Sequence, residues 1–442
     1  MQIPSFRCAP LSVSVLAVAL FKRSVIVSLC VLAGHGLCGC HSEGREVEKP
    51  DSTTTHYAKG FDLLTHNDYV EAIVYNPWKK GSILARYYLV REVQTSTPAD
   101  GVRIQVPIQR LCVASTTYFE ALRMLGETES VVGASDIPLI YSSTVRERAE
   151  RGLIHDLGTS FELNTEALLR VAPDALMTTA YNAEDKNTRH LRRLQIPTIY
   201  NIEWQETTPL GRAEWLRFIA AFYDKIPLAD SLFAEICNNY HHLQRVVKEH
   251  SQSIKGQAVQ GTGGQAVQGT GEQAMQGIKG QAVQGTGEQA TQSTGGQAVQ
   301  VPILLTGEDF RGTWNMPTSD SYIAHLIRDG GGSYTPPGNA VGTSMDITIE
   351  NALLKYREAD LWIGVNADTY KELQAKNPRY AQMRPFRLRQ VYSHNARTTS
   401  TGGNDYWEGA VMHPDTLLSD LIRVIYPSLL PQHSLTYIKP LR

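Results

Sequence analysis

Apolar and polar positions alternate along this chain with two periods. A strand period governs Val70–Tyr75 and Ile83–Val90, which flank the turn-like Asn76–Gly81 and predict a β-ribbon. Short apolar runs at Leu111–Ala114, Val131–Gly133, Ala175–Met177 and Pro197–Tyr200 predict buried strands. Between them, helical spacing covers Tyr118–Leu125, the segment from Leu163–Glu166 to Val171, and Asn187–Leu194. This strand–helix alternation predicts a parallel sheet with helices on its faces. Helices follow at Ala213–Tyr223 and Leu228–His250. The second carries Leu232, Phe233, Ile236, Tyr240, Leu243 and Val247 as one apolar stripe. The alternation then resumes, with strands at Pro302–Leu305, Leu361–Gly364 and Gln390–Tyr392 and helices at Tyr322–Arg328, Thr348–Tyr356 and Pro414–Ile425. The expected fold class is α/β: two Rossmann-like lobes with mainly parallel sheets, joined by a long interlobe helix.

The pattern breaks in two places. Residues 255–300 repeat an octapeptide of the type Lys-Gly-Gln-Ala-Val-Gln-Gly-Thr. One large apolar residue per unit cannot offset the cost of ordering its glycines, which predicts a disordered insertion over 251–300. At the start, Lys22-Arg23 precedes the apolar run Ser24–Ala33 and then Leu37-Cys38-Gly39-Cys40. The run is shorter than the roughly 20 residues of a membrane span. Basic residues, an apolar stretch and small residues before a cysteine form an export signal with a lipid-attachment site, similar to the bacterial lipobox. The expectation is a signal peptide over 1–39, lipidation at Cys40 and a polar tether over 40–58. The Leu-x-Gly-Cys spacing favours Cys40 over Cys38. This places the protein in the periplasm, anchored to a bacterial membrane through lipid. His41-Ser42 leaves inner and outer membranes both open, and the run Leu11–Phe21 leaves the start codon open. The remaining divisions are a first lobe over 59–210, helices over 211–250 and a second lobe over 301–442.

Composition narrows the function. The 442 residues carry 42 Lys and Arg against 44 Asp and Glu, a net charge of -2, which argues against a general nucleic-acid binder. Beyond Cys40 only Cys112 and Cys237 remain of six cysteines, and their spacing leaves pairing open. There is no nucleophile elbow and no phosphate-loop motif, so no enzyme is expected. The first lobe offers no set of histidines and acids that predicts a bare-metal site.

In order and spacing, several motifs match a known family. These are Leu111–Gly133 (strand, hydroxyls, helix, Leu-Gly, Val-Val-Gly), Asn164–Met177 (Asn-x-Glu, helix, Pro-Asp, strand), Leu304–Gly332 with Trp314, and Ile349-Glu350 leading to Ala359–Ile363. Over roughly Arg110–Tyr426, apart from the insertion, the chain resembles the solute-binding proteins of bacterial ABC importers, in the siderophore, haem and cobalamin class. The resemblance implies a monomeric carrier whose partners are an ABC permease and its ATPase. It also implies one docking glutamate per lobe, here Glu166 and Glu350. The second lobe lacks the family's proline before Asp360, so that match is the looser one.

In open α/β sheets ligands bind beyond the carboxyl ends of the strands. The loops at those positions supply the expected ligand-binding residues Thr116, Tyr118, Tyr181, Trp204, Arg311, Trp314, Arg397, Tyr406 and Trp407. Flat rings and arginines suit an anionic iron chelate. The expected ligand is therefore a siderophore, with haem or cobalamin as the alternative. A surface adhesin acting through the repeat is the alternative of another class.

Overall fold

Five parallel strands make the sheet of the first lobe, in the order Thr198–Tyr200, Ala175–Thr178, Leu111–Val113, Val131–Ala134, His155–Asp156. The central strands are covered on both faces, which is why they read as unbroken apolar runs. The computed structural model describes residues 51–53, 55–182, 191, 195–260, 301–338 and 342–442. The signal peptide, Cys40 and the tether up to residue 50 lie outside the described residues. So do the expected helix Asn187–Leu194, apart from Leu191, and the repeat from 261 to 300.

The expected ribbon is part of a larger sheet. Its strands Asp51–Thr53, Phe61–Thr65, Tyr69–Tyr75, Ile83–Val90 and Val102–Gln105 pair in chain order, antiparallel except for the last pair. Alternate residues Phe61, Leu63, Ala72, Val74, Tyr87 and Leu89 are buried in the first-lobe core. There Phe61 meets Trp215 and Phe218 at ring distances of 4.9 and 5.5 Å. The tether expectation is corrected at its far end. The backbone N–H groups of His56, Tyr57 and Ala58 donate to the buried carboxylate of Glu214, which removes the freedom that polar composition suggested.

The second lobe is built on Leu304–Thr306, Leu361–Val365 and Val391–Ser393, all parallel, with Lys439–Pro440 antiparallel at the edge. A small antiparallel sheet of Asp309–Phe310, Thr313–Pro317 and Ser344–Thr348 stands beside it. Helices start where hydroxyl or amide side chains cap them. Asn164 accepts from Ala167, Ser321 from Ala324 and Thr348 from Asn351.

The long helix spans Ile226–Gln260, 35 residues or about 52 Å. Ala229 lies in the first core, while Phe233, Ile236, Tyr240, Leu243 and Val247 lie in the second. The helix continues through 251–260, inside the segment expected to be disordered. Extending a formed helix costs far less than starting one, so the helix runs on into that segment once its earlier turns are formed. The two cores also exchange residues. Val411 and Met412 enter the first, and Leu210 and Ala213 enter the second. Among the described residues no helix is long and apolar enough to cross a membrane.

Candidate ligand cleft between the lobes

The segments that follow the strands Thr198–Tyr200 of the first lobe and Val391–Ser393 of the second reach a cavity of about 260 Å³. Trp204 approaches it from the first lobe, Tyr322, Tyr406 and Trp407 from the second, and Glu206 and Arg212 line it from the segment between them. Trp204 follows the strand Thr198–Tyr200, and its indole Nε1 donates to Thr179 Oγ1 at 2.8 Å. From Trp204 a row of rings runs outward. Tyr181 lies 6.0 Å away and Phe161 stacks on Tyr181 at 5.5 Å and 15°. Opposite, His394, Tyr406 and Trp407 form a trio with ring distances of 4.9–5.4 Å. Burial lowers the pKa of His394, so this ring is neutral at neutral pH.

Among the described residues, Arg212 is the cation that lines this cavity. Its guanidinium sits 5.3 Å from the centre of the Tyr322 ring, and Nη2 donates to Glu203 Oε1 at 3.3 Å. Its Nε is buried and has no hydrogen-bond partner among the described residues; nor has Glu203 Oε2. A buried donor left unmet costs about 1–3 kcal/mol. Glu206 also lines the cavity, but its carboxylate serves the fold: it accepts from Lys59 N, Gly60 N and Trp215 Nε1. Burial raises its pKa.

A second, polar cavity of about 300 Å³ lies on the other side of the one-turn helix Asp405–Glu408. Tyr406 and Trp407 face the first cavity; Asp405 and Glu408 face the second. Arg397 Nε lies 3.1 Å from both Tyr141 Oη and Asp405 Oδ2, and the guanidinium covers the Tyr141 ring at 5.3 Å. Burial pushes Asp405 up despite Arg397.

The expected ligand residues therefore divide. Trp204, Tyr406 and Trp407 line the first cavity, and Tyr181 extends its aromatic wall. Arg397 bridges the lobes instead. Thr116 is half-buried in a tight turn packed against Asp405–Glu408. Three expectations are corrected. Tyr118 is 1% exposed, and its hydroxyl donates to Asn201 O at 2.7 Å, so it braces the loop that carries Trp204. Trp314 is fully buried, with Nε1 on Thr306 O at 3.0 Å. The segment 309–317 is a hairpin rather than an open loop, and alternation turns Trp314 into the core. Arg311 sits at the tip of that hairpin, over the Phe310 ring at 5.0 Å. Sequence reading missed Arg212, Tyr322 and Phe161. Arg212 follows Pro209-Leu210-Gly211 at a helix start, a setting without any motif for ligand binding.

Glu166 and Glu350 are both exposed in the first turn of their helices, and Glu350 is ion-paired with Arg379. Cys112 and Cys237 are free thiols, and burial pushes them up to about 12 and about 11.

No protein-family model matches the chain. An uncharacterized lipoprotein of Methanocaldococcus jannaschii is 20% identical over 450 residues, covering 92% of this chain and 93% of that protein. A second uncharacterized lipoprotein of that organism is 26% identical over 228 residues, 46% of this chain and 56% of its own length. Among solved structures the chain is similar to Helicobacter pylori Ceue with Ni(II) bound (14% identity, TM-score 0.49, 78% of this chain and 92% of that one). It is also similar to a periplasmic heme binding protein from Pseudomonas aeruginosa (13%, 0.47, 76% and 95%). A periplasmic binding protein from Veillonella parvula gives 10%, 0.48, 81% and 98%.

Proposed function

We propose that this chain is a lipid-tethered solute-binding protein that captures an anionic metal chelate between its lobes and hands it to an ABC permease and its ATPase. The observation that carries this reading is the first cavity. Aromatic walls from both lobes meet there around Arg212, whose buried Nε is unmet. Rings cover a flat ligand, and the guanidinium pairs with its carboxylate or catecholate oxygens. A ferric siderophore is the ligand class proposed; haem or cobalamin is the alternative that the same flat walls suit. Binding and release make and break no covalent bond. The lipoprotein names of the Methanocaldococcus relatives agree with lipidation at Cys40.

The test is purification without denaturation, followed by absorbance and metal analysis of what is bound. Iron with a charge-transfer band supports a siderophore, a Soret band haem, and a corrin spectrum cobalamin. If ferric tris-catecholate, haemin and cobalamin all fail to quench tryptophan emission, the carrier reading is wrong.

A further inference from the structure

On the other side of the helical turn Asp405–Glu408 from the first cavity, the two lobes are held together by the protein itself. Glu408 is 3% exposed and comes from the second lobe. Its carboxylate accepts from Tyr141 N at 2.7 Å and Ser142 N at 2.9 Å, both in the first lobe. Ser142 caps the helix Ser143–Glu150, so the carboxylate lies by the positive end of that helix. Around this bond the lobes touch through backbone. A Cβ on Gly403 would lie 2.6 Å from Ile140 O, a spacing that admits glycine alone.

Glu408 ends the same helical turn that carries Tyr406 and Trp407. We propose that Glu408 is a positioning residue for the ligand cleft, fixing the aromatic wall of the second lobe at a set distance from Trp204. This rests on the reading of the cleft as the ligand site. Neighbouring contacts brace the clasp. Arg397 grips the Tyr141 side chain while Glu408 holds the Tyr141 backbone, and His413 reaches Glu120 across the lobes at 2.6 Å.

The charged and titratable groups around the clasp are Glu120, Arg123 and Tyr141 from the first lobe and Arg397, Asp405, His413 and Tyr437 from the second. Burial pushes Glu408 up to about 7. The two N–H donors oppose the shift, and the carboxylates of Asp405 and Glu120 add to it. A group raised in this way favours the closed seam most below its ordinary pKa of 4.5 and loses that contribution as pH rises through about 7.

The experiment is amide hydrogen exchange on the full chain, with far-UV circular dichroism as the fold control. In Glu408→Ala the amides of Tyr141 and Ser142 should exchange at least about tenfold faster, and those of Trp407–Met412 should speed up with them. In Glu408→Gln most of the protection should return. In the wild type, protection at Tyr141 and Ser142, corrected for intrinsic rates, should fall between pH 5 and 8, and in Glu408→Gln it should stay flat. Unchanged exchange in Glu408→Ala, or loss confined to residues 141–142, would overturn the proposal. So would a wild-type seam insensitive to pH. Quenching by ferric tris-catecholate is read in parallel: Glu408→Ala should weaken it at least about tenfold. If that probe fails to bind the wild type, the ligand reading fails, and exchange alone still decides the role of Glu408.

Discussion

His413 Nε2 lies 2.6 Å from Glu120 Oε1, joining the residue that precedes the helix Pro414–Ile425 of the second lobe to the helix Phe119–Met124 of the first. Burial works against ionisation of Glu120, yet the bonds from Arg123 and His413 outweigh it and hold its carboxyl at about 2. A carboxyl depressed in the folded state contributes stability above its ordinary pKa of 4.5 and loses it as pH falls toward 2. The wild type should therefore lose up to about 3 kcal/mol across that acid window. Glu120→Gln should show a flatter profile there. Urea melts at pH 5, 4 and 3 measure this.

Ligand affinity should separate the aromatic residues by where they lie. Trp204→Ala and Trp407→Ala remove cavity walls and should weaken chelate binding at least about tenfold with little change in melting temperature. Arg212→Ala should also weaken binding, since it removes the charge of the cavity, but it should lower the melting temperature as well, because it leaves the buried Glu203 carboxylate without its cation. Trp314→Ala should instead cost about 3–5 kcal/mol of stability, as a core truncation does. Arg311→Ala should change neither. Fluorescence titration and thermal melts on the same samples give both readouts.

Charge reversal at the exposed acids should split binding from delivery. Glu166→Arg and Glu350→Arg should leave ligand titrations unchanged and abolish uptake in cells. Loss of binding in either variant would show that these residues are misplaced as docking groups. Arg379→Ala releases Glu350 from its ion pair and should leave binding intact.

Glu214 is the buried anchor of the chain's entry into the fold. It is 0% exposed and accepts three backbone N–H groups as well as Arg217 Nη1 at 2.9 Å. Glu214→Ala would leave three backbone N–H groups unmet and remove one of the two acids that hold the buried Arg217, Asp230 being the other, and should cost about 3–5 kcal/mol in denaturant melts. Limited proteolysis should then cut between His56 and Phe61 in the variant and spare that stretch in the wild type.

Much of this architecture is legible in the sequence because its signals are local. Asn164-Thr165-Glu166 announces a helix start, and the structure caps it with Asn164. Trp204 and Tyr406-Trp407 follow strands, so strand-end reasoning finds them. The same reasoning misplaces Trp314, because a hairpin and an open loop share turn residues and only pairing with Ser344–Thr348 decides which face is inward. Arg212 escapes for another reason. Its position depends on Glu203 and Tyr322, partners far apart in sequence that only the assembled lobes bring together.

The long helix has a consequence for folding. Ala229 belongs to one core and Phe233, one turn later, to the other. A chain cut between the lobes would leave one of them without its share of that rod and with bare apolar surface. Neither half should therefore fold alone, and both should melt in one cooperative transition. The two lobes are, thermodynamically, a single body.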